Sequence, residues 1–185
     1  MSTSAEELKN QGVKLFQQQD YEAAARTFQQ AQDAYNEAGQ HDMSAEMLTN
    51  IGLVHRALGE HQQALDMMQQ ALNIFQELDD AKRTAMVLGN MGGVYSGLGD
   101  KEQAYKCYRQ AADIFAEIGE TKLHGETLVA LGSLQMREGK FTAGAATYTA
   151  GLDELDSLSA SQKIIKGLTG TISKLTGGGS AKSDK

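Results

Sequence analysis

Leu88-Gly89-Asn90-Met91-Gly92 has a near copy forty residues earlier, Leu48-Thr49-Asn50-Ile51-Gly52, and another forty before that, Leu8-Lys9-Asn10-Gln11-Gly12. A further copy, Leu128-Val129-Ala130-Leu131-Gly132, keeps the leucine and glycine but loses the asparagine. The same register extends outward: Ala24, Ala64, Ala104 and Gly144 share one slot, and Phe28, Met68, Tyr108 and Tyr148 another. Ala31, Ala71, Ala111 and Gly151 share a third, and Tyr35, Phe75, Phe115 and Leu155 a fourth. Small and large residues held in one register over four cycles identify a repeated supersecondary unit.

Each cycle reads as two helices. The first carries Leu48, Ile51 and Gly52 at helical spacing and stops at Gly59-Glu60, Gly99-Asp100 or Gly139-Lys140, where glycine takes the left-handed cap conformation. Gln19-Asp20 holds that place in the first cycle and caps less easily. The second runs through Ala64, Met68, Ala71 and Phe75 and stops near Gly39, Asp79-Asp80 or Gly119. A glycine inside a helix costs about 1 kcal/mol relative to alanine. Its recurrence at Gly12, Gly52, Gly92 and Gly132 therefore has a packing reason. The missing Cβ lets the partner helix cross closely, Ala24, Ala64 and Ala104 supply the small opposing surface, and the large residues at 28, 68, 108 and 148 fill the space beside it. No such pair buries its apolar faces alone, so the pairs are expected to stack into a solenoid.

This pattern resembles the tetratricopeptide-repeat family in the slots of Leu48, Gly52, Ala64, Met68, Ala71 and Phe75 and their equivalents, over about residues 5–158. The proline that usually closes the second helix is absent; Asn36, Gln76 and Ala116 stand there. Its loss lengthens the second helix and accounts for a forty-residue period. The longer form is similar to the repeats of Pins-type polarity adaptors, rapsyn and kinesin light chain, most of all from Met86 to Asp100. The resemblance implies an all-α, right-handed α-solenoid of four helix-turn-helix repeats, at about 5–38, 45–78, 85–118 and 125–158, within residues 1–158. The fourth cycle, with Gly144, Gly151 and Ala130, reads as degraded, as terminal repeats often are.

Residues 159–176 carry Ile164, Ile165, Leu168, Ile172 and Leu175 beside Lys163, Lys166 and Lys174, a stripe expected to form an amphipathic capping helix despite Gly167 and Gly170. Two other readings stand: a basic segment that docks on the acidic body as an internal ligand, and a membrane-surface helix. Residues 177–185 read as a flexible polar tail.

Composition narrows the function. Residues 1–158 hold 12 Lys and Arg against 23 Asp and Glu, whereas residues 159–185 hold 5 against 1. An acidic body argues against nucleic acid as partner, since such binders need a positive footprint. No apolar run suits a membrane span, and the mixed polar residues 1–10 do not read as a signal peptide. The single cysteine, Cys107, leaves no internal disulfide framework and points to a reducing, cytoplasmic setting. It has no candidate base at motif spacing and reads as inert. His41, His55, His61 and His124 lack metal-ligand spacing, and His55 reads as a packed helix residue. Thr176 to Ser183 lacks the glycine before lysine that a phosphate loop needs, and Asp79-Asp80 reads as a solvated turn. No enzyme class, cofactor or metal is expected.

The strongest candidate site is an asparagine row, Asn10, Asn50 and Asn90, two residues before each repeat glycine. In the resembled family that slot belongs to the first helix, which lines the concave groove. A carboxamide both donates and accepts, so a row of them can pair with the main chain of an extended peptide; alternatively each bonds to a neighbouring helix and only sets repeat geometry. Lys9, Val13, Arg56, Arg83, Met86, Gly93, Met136 and Arg137 fall on the same expected groove. Methionines there offer an adaptable apolar surface, and arginines fork onto carboxylates. Gly89, Gly93 and Gly97 would leave the third repeat's groove open to close approach. The family's clamp for chaperone C-terminal carboxylates would need Asn at 13 and Lys and Arg at 86 and 90; Val13, Met86 and Asn90 stand there, so that specialisation is not expected. The expected function is a non-enzymatic adaptor that binds another protein or peptide. The alternatives are a self-assembly module, with weak homo-oligomers or tail docking, and an assembly chaperone that shields a client.

Overall fold

The computed structural model describes residues 4–159 and 161–168. Eight helices form four helix-turn-helix repeats: α1 (Ala5–Gln17) with α2 (Tyr21–Glu37), α3 (His41–Ala57) with α4 (His61–Glu77), α5 (Ala81–Leu98) with α6 (Lys101–Glu117), and α7 (Thr121–Arg137) with α8 (Phe141–Asp153). A C-terminal helix, α9, follows at 161–168, and there is no strand among the described residues. The chain divides into two compact units, Met1–Gln110 and Ala111–Lys185, with the boundary inside α6.

The turns keep a twenty-residue beat. Positive φ recurs at Gln19, Gly39, Gly59, Asp79, Gly99, Gly119 and Gly139. After each, the next N–H reaches back five residues, as Asp20 does to the Leu15 carbonyl (3.0 Å) and Glu60 to that of His55 (2.9 Å), which satisfies carbonyls the helix end leaves open. Gln19 holds this left-handed position at φ 63° with a full side chain, the costlier cap the sequence implied. Helix starts are sealed by side chains where the sequence allows it. Ser4 and Glu7 form a reciprocal capping box on α1, and Asp20 and Asp80 accept from the N–H of Ala23 (3.3 Å) and Arg83 (2.8 Å). Asp79-Asp80 is therefore a working turn, not merely a solvated one. The second helices reach Glu37, Glu77 and Glu117, and the next first helix begins at once, at His41, Ala81 and Thr121. Residues 39–44, left between approximate repeat bounds by the sequence, thus split between a turn and the start of α3.

In the first unit each helix from α1 to α4 packs on its successor. The core is Ala24, Phe28, Ala31, Tyr35, Met47, Ile51 and Val54, continued by Ala64, Met68, Ala71 and Phe75, all 5 % exposed or less. The repeat glycines do what their recurrence implied. A Cβ on Gly12 would stand 2.6 Å from the Phe28 ring, one on Gly52 2.9 Å from Met68 Cγ, and one on Gly92 2.9 Å from the Tyr108 ring.

In the second unit the crossing is tighter. A Cβ on Gly132 would meet the backbone N of Tyr148 at 2.5 Å and the Gly144 carbonyl at 2.7 Å. One on Gly151 would meet the Gly125 carbonyl at 2.5 Å. The glycines at which the fourth repeat departs from the pattern are matched pairs that let α7 and α8 touch backbone to backbone. His124 Nδ1 lies 2.7 Å from Glu154 Oε2 and ties α7 to the end of α8. Lys166 Nζ lies 2.5 Å from Asp153 Oδ1 and ties α9 to α8. Of the expected apolar stripe on α9, Ile165 is half-buried, whereas Ile164 and Leu168 are 64 % and 60 % exposed. Ile172, Lys174, Leu175 and residues 177–185 lie outside the described residues.

Candidate functional site

The first helices α1, α3 and α5 of the first unit carry the asparagine row. Asn10 is exposed, and its Nδ2 is 3.5 Å from Glu6 Oε1 within the same helix. Asn50 and Asn90 are half-buried, and among the described residues neither carboxamide has a hydrogen-bond partner. For these two, bonding to a neighbouring helix is therefore not what occupies the side chain.

Asn50 stands at the edge of a hollow of about 140 Å³ between α1 and α3, lined by Val13, Phe16, Phe28, Asn50 and Leu53. Val13 was expected on the groove; Phe16 and Leu53 were not. Leu53 was legible, since it occupies the Val13 slot one repeat on. Val13 is 39 % exposed and Met86 42 %, so both offer apolar surface to solvent.

Three of the expected cationic contacts sort themselves by partner. Lys9 Nζ lies 3.0 Å from Glu6 and 3.8 Å from Glu46, bridging α1 to α3. Arg83 is not a free fork. Its Nε lies 2.6 Å from Asp80 Oδ2, its Nη2 3.2 Å from Asp42 Oδ2, and its guanidinium stacks 4.9 Å from the centre of the Phe75 ring. Burial pushes the Asp80 carboxyl up, yet bonds from the Arg83 N–H and guanidinium outweigh it and hold Asp80 below its ordinary value. Arg83 thus ties α3 to α5, its guanidinium engaged within the chain. Arg56 is exposed and, among the described residues, has no ion-pair partner. Its guanidinium lies on Gly93, where a Cβ would stand 2.8 Å from Nη1 and 2.9 Å from Cζ.

Gly93 and Gly97 of the third repeat are consequently not open floor. Arg56 covers Gly93, and the His61 ring covers Gly97, with Cε1 3.1 Å from where a Cβ would stand. In the second unit Met136 is half-buried with Cγ 2.7 Å from a Cβ placed on Gly144, so it fills the α7–α8 crossing, while Arg137 is exposed. His55 packs half-buried with Nδ1 2.6 Å from Glu60 Oε2. Cys107 is buried, and burial pushes its thiol up, away from the reactive thiolate. Among the described residues no group of three or more His, Cys, Asp or Glu side chains could hold a metal ion, and no helix is long and apolar enough to cross a membrane.

The Tyr35 hydroxyl donates to Glu6 Oε2 at 2.7 Å, joining the end of α2 to the start of α1 beside the groove. Burial, then that bond, pushes the phenol well above its usual range. The same bond, followed by Lys9, holds Glu6 below the usual carboxylate value. A lowered carboxyl contributes stability above its ordinary pKa and loses it as pH falls through the folded value. Tyr35→Phe is expected to move the Glu6 carboxyl titration upward, read by NMR of its Cδ, and to flatten the acid dependence of stability in that window.

Comparison with known proteins follows the same lines. Two family models described as tetratricopeptide repeat match residues 5–77 and 87–117, together more than half of the chain. No curated protein matches the sequence. Among solved structures, the crystal structure of BtubC (BKLC) from P. vanneervenii is similar with a TM-score of 0.65 at 18% identity, covering 98% of this chain and 67% of that one. At that identity the likeness is one of fold.

Proposed function

This chain belongs to the tetratricopeptide-repeat family, whose repeats are protein–protein interaction scaffolds, and we propose that it is a non-enzymatic adaptor whose first-helix groove in Met1–Gln110 binds an extended peptide segment of another protein. The observation that carries this reading is the pair Asn50 and Asn90. They occupy one slot in successive repeats, half-buried on α3 and α5, with carboxamides that no other group of the described chain engages. A polar group held at a partly dry surface without a partner is poorly used in the free chain and well placed to pair with a ligand's main chain. The hollow beside Asn50 receives a side chain from that same ligand, so polar and apolar recognition meet at one point. A reducing, cytoplasmic setting fits the single buried thiol.

The test is a pull-down from the source lysate with the intact chain beside Asn50→Ala/Asn90→Ala, read by mass spectrometry. The retained partner is expected to bind the double variant about 30-fold more weakly, the effect of two hydrogen bonds of about 1 kcal/mol each. Equal retention by both forms would move the binding surface out of this groove. Recovery of the chain itself as sole partner would favour self-assembly.

A further inference from the structure

We propose that this groove selects peptides carrying an apolar side chain and, about two or three residues away, a carboxylate bound by Arg56; the inference rests on the groove reading above and names the chemistry of its ligand. Three observations place these features in order. The slot that faces the groove one turn after the asparagine is Val13 in the first repeat, Leu53 in the second and Gly93 in the third. Val13 and Leu53 line the hollow between α1 and α3. At Gly93 the missing side chain is replaced by the Arg56 guanidinium, which crosses from α3 to lie on the glycine backbone. The groove therefore changes from apolar to cationic between the second and third repeats.

Arg56 is suited to this role by what surrounds it. The groove carboxylates Glu6 and Glu46 pair with Lys9, Asp42 and Asp80 pair with Arg83, and Glu60 is engaged by His55. Arg56 has no such partner among the described residues. One face of its guanidinium rests on Gly93, and the exposed edge presents the planar fork that a carboxylate accepts in two parallel bonds. Lysine would lack that fork, and a Cβ at position 93 would displace the group. Packed helices lie about 8–10 Å apart, and an extended peptide advances about 3.3 Å per residue. A side chain in the hollow thus sets the carboxylate about two or three residues on.

The test selects a phage-displayed library of random peptides on the intact chain, then measures the enriched peptides, synthesised with a fluorophore, by polarisation at fixed salt. The enriched peptides are expected to share a large apolar residue and an Asp or Glu at that separation. Arg56→Glu is expected to weaken them by about 10- to 100-fold, the value of a charge-assisted bond. Replacing the acid by lysine should restore binding to Arg56→Glu. Gly93→Val, which evicts the guanidinium but keeps its charge, should weaken them as well. Thermal unfolding confirms that both surface variants fold. Enriched peptides without the acid, or unchanged affinity for Arg56→Glu while Asn50→Ala/Asn90→Ala still weakens binding, would overturn this inference and leave the groove reading intact. Binding that survives all these variants, or no enrichment at all, would overturn both.

Discussion

Gly132→Ala is expected to destabilise the α7–α8 pair by about 3 kcal/mol, even though alanine gains about 1 kcal/mol over glycine in helix propensity. The reason lies in what the new methyl meets. Its nearest neighbours are the Tyr148 N at 2.5 Å, the Gly144 carbonyl oxygen at 2.7 Å and the Tyr148 Cα at 2.8 Å, all backbone. No side-chain rotation relieves these contacts, so the two helices must separate, and the partner crossing at Gly125 and Gly151 separates with them. Gly92→Ala is the control. There the methyl meets the Tyr108 ring at 2.9–3.0 Å, a side chain rather than backbone, and the expected net cost is smaller, about 1–2 kcal/mol. Because repeat arrays can open in parts, the measurement is amide hydrogen exchange together with denaturant unfolding. Gly132→Ala should strip protection from α7 and α8 while α1 to α4 keep theirs. Equal midpoints for the two variants would show that the α7–α8 crossing has slack that the geometry denies.

How much of this was legible beforehand depends on whether a residue's meaning lies in its own slot or in a neighbour's. The repeat glycines, the alanines opposite them and the large residues beside each crossing all carry their meaning in their own slot, and four cycles display it four times. The close crossing of the fourth repeat was hidden because Gly144 and Gly151 look like losses when each is compared with alanine; they become matched pairs only when set against Gly132 and Gly125 across the helix interface. The Arg83 ion pairs were hidden for a related reason. The same slot holds Met43 and Leu123, so periodicity says nothing of an arginine there. Its partner Asp42 is 41 positions away and belongs to no repeated pattern. Arg56 also stands alone, among Phe16, Ser96 and Met136. That it reaches Gly93 follows from rotamer and helix spacing, which a string of letters does not carry. The hollow was half visible, since Val13 was recognised but the same slot was not followed to Leu53.

Phe75→Ala is expected to cost about 4 kcal/mol, the loss for emptying a fully buried phenylalanine site. Phe75 is 1 % exposed on the last full turn of α4, in the slot that Tyr35 holds one repeat earlier. Its ring does two things at once. It fills the core where α4 meets α5, and it is the platform under the Arg83 guanidinium, 4.9 Å from the ring centre. Its carbonyl also accepts from the Asp80 N–H at 2.9 Å, closing the turn whose carboxylate caps α5 and binds Arg83. Phe75→Leu separates these roles, because it keeps most of the volume and removes the π face; its expected cost is about 1.5 kcal/mol. In a double-mutant cycle with Arg83→Met, the coupling between ring and guanidinium is expected near 1 kcal/mol. The measurement is chemical denaturation of all four proteins, with peptide affinity as a second readout. Since Arg83 spends its donors on Asp42 and Asp80, Arg83→Met should lower stability and leave the affinity of a groove ligand nearly unchanged, whereas Arg56→Glu should do the reverse. That outcome would assign two arginines that look equally available in the sequence to opposite tasks, one holding α3 to α5 and the other facing the ligand. A loss of affinity in Arg83→Met as large as in Arg56→Glu would show that the clamp and the groove are a single unit.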